Sequence, residues 1–122
     1  MVRDFYRAIQ ACLIEIDSDV VNKIISQWKN NFQYQQADSG RVFIIGNGGS
    51  CAIAEHISTD LNKRCKVKAF TLSNNSLATC LANDYGYENA LEQWLHINEI
   101  NEFDYLVAIS SSGKSPNILN AI

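Results

Sequence analysis

The chain has 122 residues, one domain's worth, and its 47% hydrophobic and 19% charged content excludes a disordered or collagen-like chain. A net charge of -3 argues against a nucleic-acid partner, and no apolar run approaches the roughly 18 residues that a membrane helix needs. The charged start Met1-Val2-Arg3-Asp4 does not read as a signal peptide, and four cysteines without a CxxC pair read as reduced thiols, so a cytoplasmic location is expected.

Residues 2–36 carry apolar side chains at helical spacing: Val2, Phe5, Ile9, Leu13 and Ile16, then Val20, Ile24, Trp28 and Phe32. Asp17-Ser18-Asp19 offers an N-cap between them, so two helices are expected, with a broad apolar face suited to a partner subunit. After the turn Asp38-Ser39-Gly40, Val42-Phe43-Ile44-Ile45 reads as a strand buried on both faces. Gly46-Asn47-Gly48-Gly49-Ser50 follows, then a helix over about 50–63. A second strand is expected over 67–72, short helical stretches over 77–81 and 87–97, and a third buried strand over 105–109. Ser110-Ser111-Ser112-Gly113-Lys114-Ser115 then leads to Pro116, which suits a first helical position. Strands alternating with helices predict an α/β fold, a doubly wound parallel sheet.

In open parallel sheets, ligands bind beyond the carboxyl ends of the strands. The glycine-rich and serine-rich loops both fall there, and together their amides and hydroxyls point to a phosphorylated small ligand. A dinucleotide fingerprint fails: Cys51 takes the third glycine position and no acidic residue ends the second strand. The stretch from Ala108 to Ser115 fits a relaxed nucleotide-binding P-loop only with Ala for its first Gly. His56 and Asp60, four apart, share a helix face and read as an acid–base pair, two metal ligands or a solvated surface pair. Asp84 reads as a sugar-hydroxyl contact or as a turn residue, whereas His96, Trp28 and Trp94 read as structural.

Four ordered motifs carry a resemblance: the glycine-rich loop, His56 with a carboxylate at 60, Ala82-Asn83-Asp84-Tyr85-Gly86, and the serine-rich loop through Asn117. Together they resemble the sugar isomerase (SIS) domain, and within it the phosphoheptose isomerases, over nearly the whole chain. That resemblance implies a five-stranded parallel sheet, of which three strands are present, and homotetramers packed through N-terminal helices. It implies one SIS-type domain over 1–122, incomplete at the C-terminus, with oligomerisation helices over 1–37 and a phosphosugar-binding part over 38–122. It implies interconversion of sedoheptulose 7-phosphate and D-glycero-D-manno-heptose 7-phosphate through an enediol, feeding lipopolysaccharide synthesis. Asn47, Gly48, Gly49, Ser50, Asn83 and Asp84 would contact the substrate. Ser110, Ser111, Ser112 and Ser115 would hold its phosphate. His56 and Asp60 would bind zinc, and Asp60 would also act as base. The family carries Glu at the Asp60 position and Asn at the Lys114 position, and draws a further Gln and His from a later segment. A non-catalytic SIS module binding a phosphosugar or a regulatory protein is the alternative.

Overall fold

The computed structural model describes residues 40–122 together with Asp19, Asn22, Lys23 and Ser26. The chain divides into two compact units, Met1–Tyr34 and Gln35–Ile122. In the first, the four described residues are helical and exposed, and the Ser26 hydroxyl donates to the Asn22 carbonyl at 2.8 Å. The expected apolar stripe from Val2 to Phe32, Trp28 and the turn at Asp38-Ser39 lie outside the described residues.

In the second unit, Val42–Gly46 forms β1, Ala69–Phe70 β2 and Tyr105–Ile109 β3. They make a parallel sheet in the order β2-β1-β3, so β1 is central. Val42, Phe43, Ile44 and Ile45 are all buried, as their continuous apolar run requires of a strand covered on both faces. The expectation of an equally buried third strand is corrected: β3 is at the edge of the described sheet, its residues are half-buried, and Ala108 is exposed.

Helix α1, Gly49–Asp60, follows β1 and packs back on it, burying Ala54 and Ser58. It ends three residues before the expected end, where the chain widens into a π-helical turn over Leu61–Cys65 that Lys66 closes in the left-handed conformation at φ 58°. Asn62 on that turn bonds both backbone groups of Ala69, fixing the start of β2. Strand β2 is shorter than the expected 67–72 because the Thr71 carbonyl accepts the Ser73 N–H, a tight turn that takes the chain out of the sheet.

Helix α2, Asn75–Tyr85, is capped by Asn74, whose side chain accepts the Leu77 N–H at 3.0 Å, and it ends at Gly86 with φ 83°. It is longer than the expected 77–81, because the Asn74 cap starts it two residues earlier and only Gly86 stops it. Helix α3, Ala90–Ile97, starts three residues later than expected and buries Ala90, Leu91, Trp94 and Leu95 on one side. These join Phe43, Ile45, Leu81 and Ile118 in the main core. The Trp94 ring meets Phe43 edge-on at 5.6 Å. His96 is not structural but exposed, facing Glu92 at 3.8 Å. Helix α4, Pro116–Leu119, follows β3 and buries Asn117 and Ile118.

Candidate functional site

The strand order makes the site. The chain leaves β1 towards β2 on one side and then crosses back past β1 to reach β3 on the other. Connections therefore diverge between the carboxyl ends of β1 and β3, the switch point where open α/β sheets form a ligand crevice. The ladder pairs Gly46 with Ile109, so the glycine-rich and serine-rich loops leave the sheet side by side.

Gly46 is dictated by packing. A Cβ there would lie 2.7 Å from the backbone carbonyl of Ser50, in the first turn of α1. Gly48 turns the chain with φ 52° and ψ -119°, a conformation that side chains rarely adopt. The turn brings the Asn47 carbonyl to the Ser50 N–H at 2.9 Å and starts α1 without a side-chain cap.

Asn47 and Asn117 form a reciprocal amide pair across the two loops, with N···O distances of 2.9 and 2.8 Å. The Tyr87 hydroxyl donates to the same Asn47 oxygen at 3.0 Å. These three residues line a cavity of about 140 Å³ together with Gly46, Gly48, Cys51, Thr71, Leu72, Ala78 and Leu91. Burial, and then the charge of Glu55, push the Cys51 thiol above its ordinary value, so it stays protonated.

The serine-rich loop begins beside Gly46 and ends at Asn117. Ser110 accepts the Gly113 N–H and Ser112 the Lys114 N–H, each at 3.2 Å, and Gly113 takes φ 62°. The hydroxyls of Ser111 and Ser115 are uncommitted among the described residues, and Lys114 is exposed.

His56 and Asp60 share a face of α1 as their spacing requires, with Nε2 3.5 Å from Oδ2. Their side chains are 80% and 45% exposed and neither lines the cavity. The other Asp60 oxygen faces Arg64 Nε at 3.4 Å. Two donors with a cation beside them do not by themselves fit a zinc centre, which takes four ligands. Among the described residues no group of three His, Cys, Asp or Glu side chains could hold a metal ion.

Asn83 and Asp84 are exposed on the last turn of α2, away from the cavity lining. Asp84 accepts from Asn83 at 2.9 Å and from the Cys80 thiol at 3.4 Å. That hydrogen bond, with the carboxylate's charge, raises the thiol above its usual value. Gly49 and Ser50 belong to the first turn of α1 and do not line the cavity. Sequence reasoning did not single out Asn117 or Tyr87 as site residues. Their signal was adjacency: Tyr87 follows the Gly86 turn, and Asn117 follows the serine-rich loop.

Comparison with known proteins bears on the family and the fold. A family model described as the SIS domain matches residues 4–122. A phosphoheptose isomerase of Campylobacter jejuni is 39% identical over 68% of this chain and 47% of its own length. One from Histophilus somni is 37% identical over 85% of this chain and 60% of its own. The chain thus spans about half to three-fifths of the length of these curated relatives. The structure of a phosphoheptose isomerase from Neisseria gonorrhoeae superposes with a TM-score of 0.77 at 25% identity, covering 99% of this chain and 67% of that one. A second, from Francisella tularensis, gives a TM-score of 0.61 at 26% identity, covering 87% of this chain and 67% of that one.

Proposed function

Because the chain belongs to the SIS domain family, we propose that it is a phosphosugar isomerase and that the crevice between β1 and β3 takes a sugar phosphate. The observation that carries this reading is the Asn47–Asn117 pair, which joins the two ligand-type loops at the switch point of the sheet. The substrate we propose is sedoheptulose 7-phosphate, the product D-glycero-D-manno-heptose 7-phosphate, and the use a supply of heptose for surface glycans such as lipopolysaccharide.

In this reading the uncommitted hydroxyls of Ser111 and Ser115 hold the phosphate, and those of Ser110 and Ser112 shape the loop. Asn47 with the N–H groups of Gly48 and Gly49 and the Ser50 hydroxyl contacts the sugar end, and Asn83 and Asp84 contact its hydroxyls. Isomerisation moves a proton from C1 of the ketose to C2 through an enediol. A base must take the C1 proton while a donor steadies the negative charge that develops on the carbonyl oxygen. Asp60 is proposed as the base and His56 as its acid partner. Zinc is proposed as a cofactor only with donors beyond these two. A homotetramer built through residues 1–37 and a cytoplasmic location belong to the same reading. Among the described residues no helix is long and apolar enough to cross a membrane.

The test is turnover in heavy water. Sedoheptulose 7-phosphate incubated with the purified chain gives an aldose phosphate carrying deuterium at C2, read by NMR. Binding without turnover favours the non-catalytic module instead, a reading supported by the position of Asp60 outside the cavity lining. Stabilisation by ATP and Mg²⁺ but not by the sugar phosphate favours a P-loop.

A further inference from the structure

We infer that Asn117 and Tyr87 are positioning residues that hold the Asn47 amide in an orientation that leaves one N–H over, so that Asn47 meets its ligand as a hydrogen-bond donor to a sugar oxygen; this rests on the sugar-phosphate reading above.

An amide oxygen accepts through two lone pairs and an amide nitrogen donates two hydrogens. The Asn47 oxygen spends both lone pairs, on the Asn117 side-chain N–H at 2.8 Å and on the Tyr87 hydroxyl at 3.0 Å. Its nitrogen spends one hydrogen on the Asn117 oxygen at 2.9 Å. One N–H remains, on a residue that lines the cavity. Turning the Asn47 amide over alone would set N–H against N–H and oxygen against oxygen across the pair, so each amide holds the other's orientation. Asn117 is 3% exposed, so the lost bonds would have no water to replace them.

Tyr87 is held in turn. The side chain of Asn120, the residue that caps the C-terminal end of α4, donates to the Glu88 carbonyl at 3.0 Å and to the Asn89 side chain at 3.1 Å. The segment after Gly86 is thereby tied to the helix that carries Asn117. A donor held in this position suits an oxygen that gains negative charge, as a ketose carbonyl does on the way to an enediolate. It gives nothing to a ligand that offers only donors at that point.

The test uses the full chain with Tyr87→Phe and Asn117→Ala, titrated calorimetrically with sedoheptulose 7-phosphate and, separately, with inorganic phosphate. Losing one bond that orients a ligand group weakens binding by about three- to tenfold. Tyr87→Phe is expected to weaken the sugar phosphate by that factor and to leave inorganic phosphate within about twofold. Asn117→Ala is expected to weaken the sugar phosphate further. Tyr87 is largely exposed, so its variant carries the test even if Asn117→Ala does not fold. Unchanged sugar-phosphate affinity in Tyr87→Phe overturns the inference, as does equal weakening for both ligands, which marks a general structural loss. Failure of the unaltered chain to bind sedoheptulose 7-phosphate strikes the sugar-phosphate reading itself, and the inference with it.

Discussion

Arg41 clamps Asp104 across the amino ends of β1 and β3, with Nη2 2.6 Å from Oδ2 and Nε 3.1 Å from Oδ1. The backbone N–H groups of Arg41 and Asn101 also donate to this carboxylate, at 2.8 and 3.1 Å, and its side chain is 2% exposed. Arg41 also holds the carbonyls of Asn98 and Glu99 and lies 5.0 Å over the Phe43 ring. Burial alone would raise the Asp104 carboxyl, but the hydrogen bonds from Arg41 and Asn101 and the Arg41 charge together hold it below its ordinary value. A carboxyl lowered by folding stabilises fully above the ordinary carboxylate value, and that contribution is lost as pH falls through the lower folded value. Asp104→Asn is therefore expected to cost about 2–3 kcal/mol at neutral pH. The gap to the unaltered chain should close on acidification, as both come to lack the charge. Urea unfolding followed from pH 7 downward checks this, and parallel curves would refute it.

Three glycines of one loop should separate by mechanism. Gly46→Ala drives a Cβ to 2.7 Å from the Ser50 carbonyl, so α1 must shift, at about 1–3 kcal/mol. Gly48→Ala meets no atom but strains a backbone at φ 52°, at about 1–2 kcal/mol. Gly49→Ala has open space and an ordinary φ inside the first turn of α1, so it should be neutral or slightly stabilising. Thermal unfolding of the three variants should rank them in that order, and a destabilising Gly49→Ala would show that the loop is constrained in some other way.

Strand β1 was legible because four consecutive apolar residues bounded by turn residues suit a strand covered on both faces, and β1 is the central strand of the described sheet. The same pattern in β3 misled, because an apolar run does not say whether a neighbour lies beyond it. Val67 misled at β2: it is buried yet outside the ladder, its N–H taken by the Leu61 carbonyl. The glycine-rich and serine-rich loops were legible because residues that free the backbone or carry hydroxyls were clustered in sequence. The contacts that organise the site were not. Asn47 and Asn117 are 70 residues apart, and Arg41 and Asp104 are 63 apart. Each pair meets only because β3 returns beside β1, and no local pattern encodes that side-chain pairing.

Within the serine-rich loop, hydroxyls differ by what they already hold. Ser111→Ala and Ser115→Ala remove groups that make no bond among the described residues, so stability should not move while sugar-phosphate affinity falls about five- to twentyfold each. Ser110→Ala instead frees the Gly113 N–H, held at 3.2 Å, so the loop loses its shape as well. Calorimetric titration beside thermal unfolding distinguishes the two classes. A Ser111→Ala variant that melts early but binds normally would place the phosphate elsewhere.

Asp60 faces two partners at nearly equal range, His56 at 3.5 Å and Arg64 at 3.4 Å. If Asp60 is the base, Asp60→Asn should abolish turnover without changing the unfolding temperature, since exposed pairs contribute about 0–1 kcal/mol. Asp60→Glu adds one methylene, a reach of about 1 Å, and a misplacement of that size costs on the order of a hundredfold in rate. The longer side chain should therefore raise kcat at least tenfold while leaving KM nearly unchanged. Arg64→Ala should act in the same direction by leaving Asp60 to His56 alone. Turnover that is unaffected by Asp60→Asn would remove this residue from the chemistry and leave the crevice between β1 and β3 as a binding site only.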